Sequence, residues 1–194
     1  MFLQASKVEV GLPAWLELFG QTYTKSSDIK KRMLFVIAAS QKNIQMQTGG
    51  PFAAAIFEAN SGKLISLGVN LVTNQGLSVL HAEIVAITLA QRKLGSFDLS
   101  GHSSLDYELV TSTEPCAMCL GSIPWAGIRR VITGASDSDA REIGFDEGDK
   151  PDDWVGGLSL RGIEVINNIQ RDEARSVLKS YLEANGKIYN PDVS

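Results

Sequence analysis

Hydrophobic and polar positions change their period several times along this chain, and each change marks an element. Residues 1–25 carry only weak periodicity. Beyond Pro13, the stretch Ala14-Trp15-Leu16-Glu17-Leu18-Phe19 suits one or two helical turns. Ile29, Met33, Val36, Ile37 and Ile44 then recur near helical spacing, which predicts a helix from about Asp28 to Gln45 capped by Ser27 or Asp28. Gly49-Gly50-Pro51 stops it. Residues 52–57 read as a strand, Asn60-Ser61-Gly62-Lys63 as a tight turn and residues 64–69 as the returning strand. A polar loop, Thr73-Asn74-Gln75-Gly76, leads to a helix from about His81 to Leu94, stopped near Gly95.

The second half alternates more regularly. Residues 107–111 and 130–134 read as strands, with a helix from Cys116 to Trp125 between them, broken or bent at Pro124. A short helix is expected over Ser136 to Ile143, then a Gly- and Asp-rich loop over 144–157 and a last strand at 163–166. A closing helix is expected to start near Asn168 and end at Gly186. A hairpin followed by alternating helices and strands implies an α/β fold, a mixed five-stranded sheet with helices on both faces. No repeat, linker or low-complexity segment divides the chain. Residues 1–25 are expected to be an N-terminal extension of a single domain over 26–194.

Composition changes this picture little. At 194 residues the chain can bury a full core. No apolar run is long enough to cross a membrane. The first residues lack a basic stretch followed by an apolar one, so no signal peptide is expected. Net charge is −4 and no basic stripe appears, which weighs against a nucleic-acid partner. The two cysteines are three residues apart, a spacing that suits a metal better than a disulfide, so a reducing, cytoplasmic setting is expected.

The chemistry lies in two short motifs, His81-Ala82-Glu83 and Pro115-Cys116-Ala117-Met118-Cys119. They supply one imidazole, two thiols and one further carboxylate, that is, three zinc ligands and a base for a water in the fourth position. On a helix Cys116 and Cys119 share a face, and Pro115 suits the entry to that helix, where free N–H groups favour thiolate. His81 and Glu83, in a helix interior, would point about 200° apart. Both can serve one ion only if it lies off the helix end, so two helix N-termini are expected to converge on one zinc. Two thiolates cancel the charge of Zn²⁺ and leave its water less acidic than three imidazoles would, which makes Glu83 necessary as the proton carrier. A closed structural zinc would need a fourth ligand, for which only His102 remains.

Leu80-His81-Ala82-Glu83 and Glu114-Pro115-Cys116-Ala117-Met118-Cys119-Leu120-Gly121-Ser122-Ile123 together resemble the cytidine/deoxycytidylate deaminase superfamily, whose zinc signature is known in general terms. The resemblance covers about residues 28–150. It is strongest to the bacterial guanine deaminases, through residues 49–54, Gly68-Val69-Asn70, residues 119–126 and Ile143-Gly144-Phe145-Asp146-Glu147. It implies a three-layer α/β/α cytidine-deaminase-like fold, one Zn²⁺ per chain held by His81, Cys116 and Cys119, and a homodimer whose C-terminal segments can reach the partner's site. It also implies hydrolytic deamination of guanine to xanthine and ammonia by zinc-activated water, with Glu83 as proton shuttle. Amino-substituted rings such as amino-triazines are further substrates it suggests. Asn70 would contact the base edge; without the resemblance it reads as a turn cap. A carboxylate in the acidic loop, Glu147 ahead of Asp146, would meet the N1–H and 2-amino donors of guanine or assist ammonia release. Trp125, at its helix end, reads as core or as a pocket wall stacking on the base, Phe52 likewise, and Ala82 is a candidate backbone donor. Ser122 replaces a common alanine, and residues 150–194 match weakly. The alternatives are a tRNA adenosine deaminase, disfavoured by the charge, and a cytosine or nucleotide deaminase.

Overall fold

The computed structural model describes residues 2–100 and 106–190. In chain order it contains α1 (Ala14–Gln21), α2 (Ile29–Gln45), β1 (Ala53–Glu58), β2 (Leu64–Val69), α3 (Val72–Gln75) and α4 (Ala82–Leu94). There follow β3 (Tyr107–Thr113), α5 (Ala117–Trp125), β4 (Arg130–Ala135), α6 (Asp137–Glu142), α7 (Trp154–Ser159), β5 (Glu164–Ile166) and α8 (Arg171–Glu183). The strands form one sheet in the order β2-β1-β3-β4-β5. The β1/β2 and β1/β3 pairs are antiparallel, and the β3/β4 and β4/β5 pairs are parallel. This is the mixed five-stranded α/β architecture that the alternation implied.

Side chains leave a strand on alternating faces, and β1 shows how the two layers form. Ala53, Ala55 and Phe57 join one core with Met33 and Val36 of α2 and Val177 and Leu178 of α8. Ala54 and Ile56 join the other with Ala86 and Ala90 of α4, Ile123 of α5 and Leu158 of α7. The small residues of β1 and α4 bring helix and sheet close. Gly68 of β2 closes that contact, since a Cβ there would fall 2.4 Å from the Ala82 carbonyl and 2.5 Å from the Ala86 nitrogen. Helix α4 is thereby pressed against β2 with its N-terminus at the end of the sheet where β3 and β4 finish, the usual place for ligands in such sheets.

Several local expectations change. The segment after Pro13 is the expected two turns, α1, but its Trp15 and Leu16 are buried in the core shared with α2. Helix α5 continues through Pro124, which lies in its last turn, and ends at the next residue, Trp125. The acidic loop contains α7, begun by the Asp153 carboxylate accepting from Gly156 N–H at 2.8 Å. Helix α8 starts at Arg171 rather than near residue 168, because Asn168 and Gln170 adopt left-handed φ values of 63° and 55°.

A buried ion pair joins the layers far from the helix ends. Arg32 of α2 contacts Glu108 of β3, both within 2% of full burial. Arg32 also donates to Ala59 O and Ser27 O, and Arg130 of β4 reaches Glu108 at 3.3 Å and Glu164 of β5 at 2.6 Å.

Candidate active site

Two helix N-termini meet at one point. His81 is the N-cap of α4 in extended conformation, and Glu83 lies in the first turn. Cys116 is the N-cap of α5, with Cys119 in its first turn. The ligand atoms of His81, Cys116 and Cys119 lie within 4.8 Å of one another, and among the described residues no fourth histidine, cysteine or carboxylate joins them. His102 falls outside the described residues. The Cys116 sulfur is 3.4 Å from His81 Nδ1, and both cysteines are free thiols. Hydrogen bonding from the Cys119 thiol, against the opposing cost of burial and with help from His81, lowers Cys116 to about 4. A pair of buried sulfurs, one of them inclined to ionise, beside an imidazole is a zinc donor set with one coordination position unfilled by protein. The residues therefore fit the metal.

Glu83 is buried beside this trio. Its carboxyl accepts a hydrogen bond from the Thr111 hydroxyl at 3.1 Å and one from the Cys119 thiol at 3.4 Å. Burial first, then the negative charge of Cys116, pushes its pKa upward. Glu147 enters from the α6–α7 loop, 6% exposed. Its carbonyl accepts from Ala117 N–H at 2.9 Å, and Lys150 of the same loop donates to Pro115 O at 3.1 Å. The loop is thus clasped to the segment that carries Cys116. Burial, then the charges of Cys116 and Glu83, raise Glu147 to about 8, while Lys150 pulls the other way. A carboxyl that exchanges its proton near neutral pH suits acid–base work.

His81, Glu83, Cys116 and Glu147 line one cavity of about 540 Å³, with Cys119 buried behind them. A larger groove of about 650 Å³ between α1 and β2 gathers Lys25, Lys63 and Lys93 but no histidine, cysteine or buried carboxyl. The smaller cavity is the reactive one. Asn70 lines it, 1% exposed, with its Oδ1 accepting from Val72 N–H at 3.3 Å and its Nδ2 without any partner. A buried amide donor left open costs free energy unless a ligand meets it. Phe52 forms a wall, edge-on to Phe145 with centroids 4.9 Å apart.

Three sequence candidates sit differently. Asp146 is at the cavity rim, where its carboxylate accepts from Gly148 N–H at 2.9 Å and faces Arg141 at 3.7 Å, so Glu147 is the carboxyl inside. Ala82 buries its side chain in the α4 core, while its backbone N–H belongs to the first residue of α4, beside His81. Trp125 is neither wall nor core, being 87% exposed. It occupies the far end of α5, nine residues from Cys116, a rise of about 13 Å that carries it off the site.

The cavity also holds a residue whose place among its walls the motifs gave no sign of. Tyr189 lines it from the C-terminal segment, with a buried hydroxyl that has no partner and a pKa pushed up by burial. Asn190 fixes that segment to the Glu147 loop, accepting from Asp146 N–H at 2.9 Å and donating to Gly144 O at 2.8 Å. Tyr189 and Asn190 thus line the cavity from the C-terminal side.

Comparison with known proteins gives a consistent picture. Residues 26–135 match the family described as the cytidine and deoxycytidylate deaminase zinc-binding region. The guanine deaminase of Bacillus subtilis (strain 168) is 43% identical over 99 residues, an alignment covering 51% of this chain and 59% of that protein. The guanine deaminase of Nitrosomonas europaea superposes with a TM-score of 0.88 at 41% identity, covering 94% of this chain and 100% of that one. A protein solved in complex with 2,6-diaminopurine superposes with a TM-score of 0.88 at 44% identity, over 94% and 96% of the two chains.

Proposed function

The chain belongs to the cytidine and deoxycytidylate deaminase family, and on that premise we propose that it hydrolyses guanine to xanthine and ammonia. The observation that carries the reading is the convergence of Glu83, Glu147 and the open amide of Asn70 on the His81–Cys116–Cys119 trio in one cavity. The similar guanine deaminases support the choice of base.

His81, Cys116 and Cys119 would hold the zinc, which when bound acidifies a water for attack on C2 of the base. Glu83, buried and without a lysine or arginine partner among the described residues, takes up in turn the two protons that the attacking water gives up, passing one to the ring nitrogen and the other to the departing amine. Asn70 donates from Nδ2 to an acceptor on the purine edge. Glu147 faces the N1–H and 2-amino donors, or passes a proton to the leaving ammonia. Phe52 and Phe145 exclude water around the ring. Other rings with the same amino-bearing edge, amino-triazines among them, fit the same contacts.

The protein also acts as a homodimer in this reading. Trp125, Phe97 and Leu160 are 87%, 83% and 92% exposed, more apolar surface than isolated side chains explain. Phe97 and Trp125 line one shallow depression with Arg161, the neighbour of Leu160. Trp125→Glu is expected to yield a monomer by sedimentation; an unchanged dimer would place the interface elsewhere. No described helix is long and apolar enough to cross a membrane. The activity test offers zinc-loaded protein guanine, adenine, cytosine, cytidine and cytidylate and measures ammonia. Release from guanine is expected to dominate, and release from cytidine or adenine instead would overturn the choice of substrate.

A further inference from the structure

Asn43, on the last turns of α2, is completely buried and lies outside the cavity wall, yet every polar group of its side chain is engaged. Its Nδ2 donates to Gly50 O and to Asn70 O, each at 2.9 Å. Its Oδ1 accepts from the Thr48 hydroxyl at 2.7 Å. Thr48 Oγ1 in turn accepts from the indole N–H of Trp15 in α1 at 3.0 Å. The chain of bonds runs from α1 through Thr48 and Asn43 to the backbone of Asn70.

That backbone is fixed on both sides. Asn70 N–H donates to Phe52 O at 3.0 Å, and its carbonyl is the one held by Asn43. Its Oδ1 accepts from Val72 N–H, which orients the amide and leaves Nδ2 without a partner in a residue that lines the cavity. Gly49 makes the arrangement possible, because a Cβ there would sit 1.8 Å from Asn70 O and 2.8 Å from Asn43 Nδ2. An amide carries two donors in a fixed plane, so one Asn43 side chain sets the relation between Gly50 and Asn70, two residues bordering the same wall.

We infer that Asn43 is a positioning residue for the substrate-binding amide of Asn70, and that α1 takes part in base recognition through the Trp15–Thr48–Asn43 relay. The inference rests on the proposed contact between Asn70 and the base. Without Asn43 two buried carbonyls lose their donor, and the Asn70 peptide turns to find another. Displacement of a substrate-orienting group by about 1 Å costs on the order of a hundredfold in rate. Residues that orient a ligand-binding side chain are worth about 10- to 100-fold when removed.

The test is a double-mutant cycle on the zinc-loaded full chain with guanine. Asn43→Ala is expected to lower kcat/KM by about 10- to 100-fold, mainly through KM. In the Asn70→Ala background the same change is expected to cost less than about threefold, because the amide it positions is gone. An equal factor in both backgrounds would overturn the inference and leave Asn43 a core residue only. Should Asn43→Ala not fold, Thr48→Val carries the same cycle with a smaller first factor. A second readout needs no turnover. The Asn70 side-chain amide signals of ¹⁵N-labelled protein, assigned by their loss in Asn70→Ala, are expected to shift in Thr48→Val. Unmoved signals would overturn the positioning role whatever the substrate is. Wild-type protein idle on guanine would instead overturn the proposed function and leave the amide signals to decide on Asn43.

Discussion

Two buried glutamates near β3 have opposite surroundings. Glu108, at the start of the strand, is wholly buried against Arg32 and within 3.3 Å of Arg130. Glu83, packed against Thr111 further along, accepts from a neutral hydroxyl, a thiol and its own backbone N–H. Burial raises the pKa of both, and for Glu108 the two arginines oppose the rise. Burial therefore does not by itself mark a reactive carboxyl. A cation fixed beside a buried carboxylate makes its charge part of the architecture. Where no lysine or arginine is in place, the proton can come and go, which is what a shuttle requires.

The paired substitutions Glu83→Gln and Glu108→Gln test that difference most severely. Glu83→Gln is expected to lower kcat by about 10²- to 10⁴-fold with little change in the urea midpoint. Glu108→Gln is expected to do the reverse, destabilising the fold by about 3–5 kcal/mol because Arg32 stays buried without its partner, while the folded fraction keeps its kcat. If both lost stability equally and neither lost turnover selectively, the contrast would collapse. Glu147→Gln comes next. It keeps the shape but loses the group that exchanges a proton, and a fall in kcat/KM for guanine of about tenfold to a hundredfold is expected.

Asp139 supplies the smallest effect and a third surrounding for a buried carboxyl. Burial would raise it, but Arg171 and the N–H and hydroxyl of Ser136 outweigh that and hold it at about 2. A folded-state pKa below the ordinary 3.8 means that the ionised form stabilises the fold. That contribution is complete above pH 3.8 and is lost as pH falls towards 2. Asp139→Asn should therefore cost about the 1 kcal/mol typical of a helix cap at pH 7, and melting curves of wild type and variant should converge between pH 3.8 and 2. A gap that persists at pH 2 would mean that the contact does not depend on charge.

What the sequence disclosed follows from the range of the interactions. Strands β1 to β4 and helices α2 and α4 carry clean periodicity, so the mixed sheet was legible. The zinc trio was legible because His81 and the two cysteines lie in short motifs with few other partners available. Helix α7 was not, since Gly156 and Gly157 are poor helix formers and the helix starts from the Asp153 carboxylate bonding Gly156 N–H. The late start of α8 depends on two non-glycine residues at positive φ, which composition does not announce. Trp125 read as core or as a wall because it ends the helix that carries both cysteines; only the length and packing of α5 show that it stands 87% exposed. Tyr189 lies 42 residues beyond Glu147 and reaches the cavity through Asn190, a tertiary contact with no local signature.

The measurement that bears most directly on the central claim is ammonia release from guanine by wild-type and Glu83→Gln proteins brought to the same zinc content. Rapid release by the wild type, with release by the variant lower by at least about a hundredfold at equal zinc, is the expected result. Equal release by the two proteins would contradict the role of Glu83, and no release from guanine by the wild type would contradict the proposed activity itself.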